Sequence, residues 1–596
     1  MTHPLQILIS ELHHEDYRLR LNAVKKISAI SLALGASRTR TEFLPFLHEK
    51  TEDINEEVLA ALAEQLGDFT EYVGGPAHIP KIITVLEKLA LLEEESVRIV
   101  AANSLCKLGV QLDSAAIREH FLPLIERLVE SKWYVNRATS SLLFASVFSK
   151  FTSADQMSLL GMISKLCSDE SPMVRKSAAT MLPKLIEVLG AINADVMFST
   201  CSPLITNLAK DETITVAIKS FDAVVAIAKM ASYNEYPVAL RNPAFEWVVE
   251  TTVELLKNTA WRIRFALGKS FGILGKFLPS AFYESILPVF VTLLLDTEPE
   301  VHIITHEHLL SVCDHLSPEA IDAHIVPNLK ELPTEVSETP GPDFWKVYVA
   351  MAKVVVLLSS KLSVQKCRTS LLPKVLKLLQ CDAPEVRLAV VANIYVLVDT
   401  VGTDVVKTPL GPCISGLKKC PKWRIRHSLF LEIAKLANVF GEQYFSHTLS
   451  EVYQTLLVDK VAIVRETGVQ ITAELLKYFG SEWGLTTMLP LLLDLTNSSF
   501  YLYRMNVYSA IVEVGKVLDP RVTATTVLPV LFTAINDKIP NIRAKTISLL
   551  DEMYKAQCIP ENVLASQVVP ALKGCLSDSD NLVSVAANEL FGAILN

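Results

Sequence analysis

The sequence predicts an all-α solenoid, in which antiparallel helix pairs stack on one another into a curved, horseshoe-like rod. Three observations carry this expectation. First, 50% of the 596 residues are hydrophobic and only 20% charged, so most of the chain is buried and a disordered polymer is excluded. Second, glycine is scarce at 21 residues, about half of the usual ~7%, which argues against folds built on tight turns or phosphate-cradling loops. Third, the chain is periodic. Arg387, Arg426, Arg465, Arg504 and Arg543 recur every 39 residues.

The upstream chain continues the period at Arg20, Arg98, Arg137 and Arg175, with slots at Leu59, Ala217, Arg264, His302, near Lys346 and at Ser584. Fifteen slots in 596 residues give a unit of about 40 residues. Length alone would suggest about four domains of roughly 150 residues; the period predicts one solenoid over residues 1–596 instead. Each unit reads LPxLxxLxxD, a short break, then VRxxAxxxLxxLxxxxG. Leu528, Leu531 and Ile535, then Ile542, Thr546, Leu549 and Leu550, show the helical spacing of the two halves. Prolines such as Pro45, Pro80, Pro123, Pro373 and Pro490 are expected in a first helical turn. Two helices per ~40 residues is the signature of HEAT-type repeats, whose units bury their apolar stripes only by stacking.

An Asp precedes the Arg slot by five or six residues at Asp169, Asp296, Asp382, Asp459, Asp537 and Asp578. Arg and Asp in neighbouring repeats can bond along the stack, and a structural ladder of this kind is the expectation for Arg387, Arg465 and Arg543. Two segments break the period. The step from Ala217 to Arg264 is 47 residues, with the excess near SYNEYPVALRNP, and PTEVSETPGPDF lengthens the ninth repeat. Both read as surface loops.

Net charge −9 lacks the basic face that general nucleic-acid binding needs. No apolar run approaches the roughly 18 residues of a membrane helix. The N-terminal apolar stretch is broken by Glu11 and followed by Glu15 and Asp16 with no basic segment before it, unlike a secretory signal. Ten scattered cysteines, with Cys413 and Cys420 lacking CxxC spacing, suggest reduced thiols in the cytosol or nucleus. Catalytic motifs are poor. Gly268-Lys269-Ser270 ends like a phosphate-binding loop but has Ile263 where the leading glycine belongs. His302 and His306 lie one helical turn apart, with His308 nearby, but lack the HExxH order, so a solvated helix face is expected rather than a metal site. The acidic run Glu93-Glu94-Glu95 reads as a solvated turn. No enzyme, cofactor or metal site is expected.

Large residues stand where polar turns should be. Trp133-Tyr134, Trp261-Arg262, Trp423-Arg424 and Phe500-Tyr501 precede the Arg slot in their repeats. Stacking in register would align these turns into one ridge, and Trp beside Arg is the chemistry of a protein-binding hot spot. Lys418, Lys419, Lys422, Arg424 and Arg426 add a basic patch suited to an acidic partner.

Several phrases are more specific than the repeat. LLPKVLKLLQCDAPEVRL, KWRIR, LLVDKVAIVRE, FYLYRM, LAALAEQLGDFTEYVGGP and LCSDESPMVRKSAA resemble the scaffolding A subunits of serine/threonine protein phosphatase 2A over essentially the whole chain. The resemblance implies a non-enzymatic scaffold, cytoplasmic or also nuclear. It would hold a phosphatase 2A catalytic subunit in a heterodimeric core and an interchangeable B-type regulatory subunit in a heterotrimer. By position it implies regulatory-subunit binding in repeats 1–8 (1–316), through Trp133, Tyr134, Asp169, Pro172, Met173, Arg175, Trp261 and Arg262. Repeats 9–10 (317–408) would carry the longer turn near 333–344. Catalytic-subunit binding would fall in repeats 11–15 (409–596), through Lys422, Trp423, Arg424, Val461, Ala462, Tyr501, Leu502 and Arg504. Ser584, Ala217 and the ninth-repeat insertion depart from the family pattern. The alternative is another HEAT adaptor such as a nuclear transport receptor, which those phrases disfavour.

Overall fold

Helices account for the regular structure of the chain, and no strand occurs among the described residues, which are 10–52, 55–329 and 345–595 of the computed structural model. The insertion at 333–344 lies outside them. Two compact units make up the chain, Met1–Leu316 and Ser317–Asn596. In the first, the second helices of the repeats begin at Tyr17, Glu56, Glu95, Tyr134, Pro172, Ile214, Trp261 and Pro299. In the second they begin at Trp345, Pro384, Trp423, Ala462, Tyr501, Pro540 and Asn581. Each start falls at or just before the periodic slot read from the sequence, so the 39-residue period is a period of helix pairs.

The apolar spacing becomes the core directly. Leu528, Leu531, Ile535, Ile542, Thr546, Leu549 and Leu550 are all buried. Aromatic rings fill the wider gaps between helices: Phe271 stacks on Phe290 at 4.2 Å between centroids, and Phe445 meets Trp483 edge-on at 5.2 Å. Several second helices stop where the sequence places glycine. Gly402 and Gly441 follow Pro384–Val401 and Trp423–Phe440 at φ 90° and 86°, a conformation that a side chain disfavours.

The prolines stand in the first turn of α-helical segments, as expected, but many of these segments continue a helical path begun earlier. In the first helix of many repeats, a five-residue π-helical turn comes immediately before the apolar-proline pair: Ile117–Phe121 before Leu122-Pro123, Cys367–Leu371 before Leu372-Pro373, and Gly484–Met488 before Leu489-Pro490. The proline opens the α-helical segment after this turn but sits within a longer helical path. Proline has no N–H to donate, and the wider π turn shifts the hydrogen-bond register where that donor is missing.

The segment around 233–241 is also only partly a loop. Residues 233–237 connect two helices, but the rest of the excess lengthens the following helix, Val238–Leu256, which carries Pro243 inside it. The histidines were expected on a solvated face and are instead buried: His302 and His306 are 1% and 0% exposed. Their helix, Pro299–Cys313, turns this face into the stack. The His306 Nδ1 lies 2.8 Å from the His302 carbonyl, and burial pushes His306 down to about 4. Among the described residues, no cluster of three metal-ligating side chains occurs and no helix is long and apolar enough to cross a membrane.

Candidate protein-binding ridge

Six of the turns between the helices of a repeat are built around an aspartate acceptor. In the first unit, Asp169, Asp211 and Asp296 accept the N–H two residues on, from Ser171, Thr213 and Glu298, at 2.8–2.9 Å. In the second, Asp459, Asp537 and Asp578 do the same for Val461, Ile539 and Asp580, each at 2.9 Å. This closes the turn and places a carboxylate near the positive end of the second helix.

The arginine six residues after this position ties the turn down twice. Arg137 Nη1 donates back to the carbonyls of Ser131 and Lys132, both at 3.1 Å. Its Nε and Nη2 reach forward to the Asp169 carboxylate of the next repeat at 2.7 and 2.9 Å. Arg175–Asp211 and Arg264–Asp296 repeat this rung in the first unit. Arg426–Asp459, Arg504–Asp537 and Arg543–Asp578 repeat it in the second. These groups are largely buried, and burial alone would raise the Asp169 carboxyl. The Arg137 hydrogen bonds, the Ser171 N–H and the guanidinium charge outweigh burial and hold it below the usual carboxylate range.

The rungs correct the sequence expectation in three places. Arg387 and Arg465 were expected in the ladder with Arg543, but the acceptor positions facing them in the next repeat are Cys420 and Ser498. Both arginines keep a buried Nε without a partner, and Arg465 instead lies 5.5 Å from the centre of the Tyr503 ring. Asp382 stands five residues before its arginine rather than six, one position off the turn, and makes no ion pair among the described residues. Asp211, which pairs with Arg175, escaped notice because its own repeat has Ala217 at the arginine slot.

The ladder leaves the first two residues of these second helices outside its rungs. Tyr134, Pro172 and Trp261 open their helices in the first unit, followed by Val135, Met173 and Arg262. Trp423, Ala462 and Tyr501 open theirs in the second, followed by Arg424, Ile463 and Leu502. Arg262 lies over the Trp261 ring at 4.8 Å and Arg424 over Trp423 at 4.7 Å. Both indoles also meet an aromatic ring one turn on, Phe265 and His427, each at 6.4 Å. They are half-buried platforms with an exposed guanidinium on top. Trp133 and Phe500 sit one residue earlier, where backbone is extended, and are more open at 71% and 47% exposure. Met173 and Ile463 are exposed by 50% and 48%; the sequence reading did not single out Ile463.

The structure therefore divides the nominated residues. Trp133, Tyr134, Pro172, Met173, Trp261 and Arg262, and Lys422, Trp423, Arg424, Val461, Ala462, Tyr501 and Leu502, lie on the turns or first helical residues. Asp169, Arg175 and Arg504 have their charged groups in rungs. The basic patch is mostly neutralised: Lys418 pairs with Glu451 and Lys422 with Glu385, both at 2.6 Å, and Arg426 with Asp459. Arg424 is the cation that this patch presents over an aromatic ring.

Comparison with known proteins gives the ridge a context. A family model described as "PIK3R4-like, middle domain" matches residues 443–576. The chain is 37% identical over 276 residues to the regulatory A subunit of protein phosphatase PP2A from Schizosaccharomyces pombe, covering 46% of this chain and 45% of that one. It is 31% identical over 396 residues to the beta isoform of the 65 kDa regulatory A subunit of serine/threonine-protein phosphatase 2A from Homo sapiens, covering 66% and 63%. The matched stretch thus spans less than half of the first relative. A solved structure of Kap95p with RanGDP superposes on 99% of this chain and 82% of its own at 13% identity, with a TM-score of 0.57, a likeness of fold.

Proposed function

We propose that this homologue of the phosphatase 2A regulatory A subunits is a non-catalytic scaffold that assembles a phosphatase holoenzyme along its turn ridge. The observation that carries the reading is the recurrence of an indole capped by an exposed arginine at the same helical position, Trp261-Arg262 and Trp423-Arg424. Such pairs combine a rigid, partly desolvated ring with an orientable charge, the composition of interface hot spots. Repetition of the turn lets one protein touch several repeats at once, so modest contacts add.

In this reading the catalytic subunit docks on Lys422, Trp423, Arg424, Val461, Ala462, Tyr501 and Leu502. An exchangeable regulatory subunit docks on Trp133, Tyr134, Pro172, Met173, Trp261 and Arg262. Asp169, Arg175 and Arg504 are positioning residues: they hold the turns that present these side chains. The assembly is a heterodimer of scaffold and catalytic subunit, extended to a heterotrimer, in the cytoplasm or nucleus. The names of the relatives support the partner class, and the ridge supports the mode of attachment.

The test is capture of purified phosphatase 2A catalytic subunit by the full chain. Wild type should retain it, and the pair Trp423→Ala, Arg424→Ala should weaken binding by over ~2 kcal/mol. Trp261→Ala should reduce regulatory-subunit capture and leave the catalytic subunit bound. Failure of the wild type would overturn the function; full retention by the double variant would overturn the site.

A further inference from the structure

The ladder contains a place where the arginine is set and the acceptor is a thiol. In Arg137, Arg175, Arg264, Arg426 and Arg543, Nε donates to a carboxylate of the next repeat at 2.5–2.8 Å. The same atom of Arg387 is buried and without a partner, and Arg387 makes no ion pair among the described residues. The residue in register with those carboxylates is Cys420, 33 residues on, the spacing that joins Arg426 to Asp459 and Arg504 to Asp537.

The surroundings are those of a rung. A β-carbon at Gly416 would come within 2.8 Å of Arg387 Nη1, so the guanidinium already lies against helix Asp404–Lys418, which leads into Cys420. Arg426 Nη1 donates to the carbonyls of Cys420 and Pro421 at 2.6 and 3.2 Å, as Arg465 Nη1 does to those of Asp459 and Lys460. The turn thus has the backbone of an aspartate turn, with a thiol where the carboxylate belongs. A guanidinium Nε left unmet in the interior is costly, and what this position lacks is one anionic oxygen acceptor.

Cysteine can become that acceptor by oxidation. Lys422 and Arg426 both interact electrostatically with Cys420, and cationic surroundings favour the reactive thiolate. Burial raises the neighbouring thiols of Cys381 and Cys413, the latter to about 11, so they keep their protons. Cys420 is 7% exposed, which admits a peroxide but not a bulky thiol such as glutathione. Cys413 lies seven residues back along the helical path, about 10 Å away. Cys381 occupies the equivalent turn one repeat earlier, about 8–10 Å away at helix packing distance. Neither is within disulfide reach, so a sulfenate formed here has no thiol to condense with and proceeds to sulfinate.

We propose that Cys420 is a peroxide-modified site whose sulfinate completes the rung to Arg387. The thiolate sulfur attacks one oxygen of hydrogen peroxide. An S–O bond forms, the O–O bond breaks, and the departing hydroxide takes up the hydroxyl proton as water, leaving a sulfenate. A second peroxide repeats the step and leaves a sulfinate. Each step takes two electrons from sulfur and reduces one peroxide to water. The product carries two oxygens and one negative charge on the atom after Cβ, as aspartate does, so Arg387 Nε and Nη2 can donate to it as Arg426 does to Asp459. The same turn leads directly into Trp423 and Arg424, so the added rung tightens the backbone that presents them.

Hydrogen peroxide titration of the full chain, read by peptide mass mapping and amide hydrogen exchange, tests this. Cys420 should gain two oxygens at lower peroxide than Cys381 or Cys413, and exchange in residues 384–390 and 420–427 should then slow about 10-fold. Cys420→Asp should show the same slowing without peroxide, and Arg387→Gln should remove it from both the oxidised and the Cys420→Asp chains. Cys420→Ser should show no change in exchange on treatment. Oxidation of Cys381 or Cys413 ahead of Cys420, or a disulfide at Cys420, would overturn the proposal. So would exchange unaltered by the sulfinate and by Cys420→Asp with circular dichroism unchanged, or slowing that survives Arg387→Gln.

Discussion

Ser498 occupies the one turn position facing Arg465 that an aspartate fills in six other rungs, so Ser498→Asp should add a rung. Arg465 is 4% exposed; its Nη1 donates to the carbonyls of Asp459 and Lys460 at 2.7 and 3.0 Å, and its buried Nε is unmet. A hydrogen bond to a charged group contributes about 1.5–3 kcal/mol net. Desolvating the new carboxylate offsets part of this, which leaves a stabilisation of about 1–2 kcal/mol. The Asp would also replace the long 3.4 Å contact from Phe500 N to the serine hydroxyl with the shorter turn bond made elsewhere. Urea unfolding should be followed by Trp483 fluorescence, because this 3%-exposed indole lies just beyond the Gly480 break that ends the helix carrying Arg465 and stacked repeats need not unfold in one step. A cycle with Arg465→Gln isolates the pair. Coupling below ~0.5 kcal/mol, or a less stable single variant, would refute the rung as the reason for the Asp-to-Arg spacing.

Asp459→Asn removes the carboxylate charge that Arg426 is paired with and should cost about 3–5 kcal/mol in the same unfolding assay, whereas Asp382→Asn, off the ladder, should change stability by less than ~0.5 kcal/mol. His306 is held neutral with its pKa pushed down to about 4, against ~6.5 when unfolded. The unfolded chain therefore binds the extra proton between these values, and stability should fall by roughly 3 kcal/mol as pH drops from 6.5 to 4; His306→Phe should flatten that slope in pH-dependent denaturation. Asp169, Asp211, Asp296, Asp459 and Asp578 are held below the usual carboxylate range. Their contribution is present above ~4 and lost as pH falls further, so the acid limb should steepen below pH ~4. Tyr501→Ala should weaken catalytic-subunit capture at nearly unchanged stability, while Arg504→Gln should lower both.

The fold was legible because a stack writes the same requirement into the chain at every repeat. The ladder was legible only in part, since a rung needs residues from two consecutive repeats. Reading Arg387 and Arg465 within their own units hid Cys420 and Ser498, and Ala217 drew attention away from Asp211. The histidines show the same lesson. His306 stands four residues after its slot, where Ala102, Ala179, Phe221, Val391, Phe430 and Ile547 are all buried, so aligning the repeats would have placed it in the core. Exposure of the aromatics was beyond the sequence: Trp133 and Trp261 differ by one residue of register, and that residue decides between an open ring and a packed one.

The ladder also decides where binding chemistry can reside. A guanidinium that grips two carbonyls behind it and a carboxylate ahead has few donors left for a partner, and moving it would loosen the turn. In the scaffold reading proposed above, conserving the stack pushes recognition onto residues at the start of each second helix, whose side chains no rung requires. Those positions vary freely here among Trp, Tyr, Pro and Ala, then Arg, Met, Ile and Leu. On that reading, one repeat can change what it binds without changing how it stacks, and each turn can be tuned to a different patch of a partner.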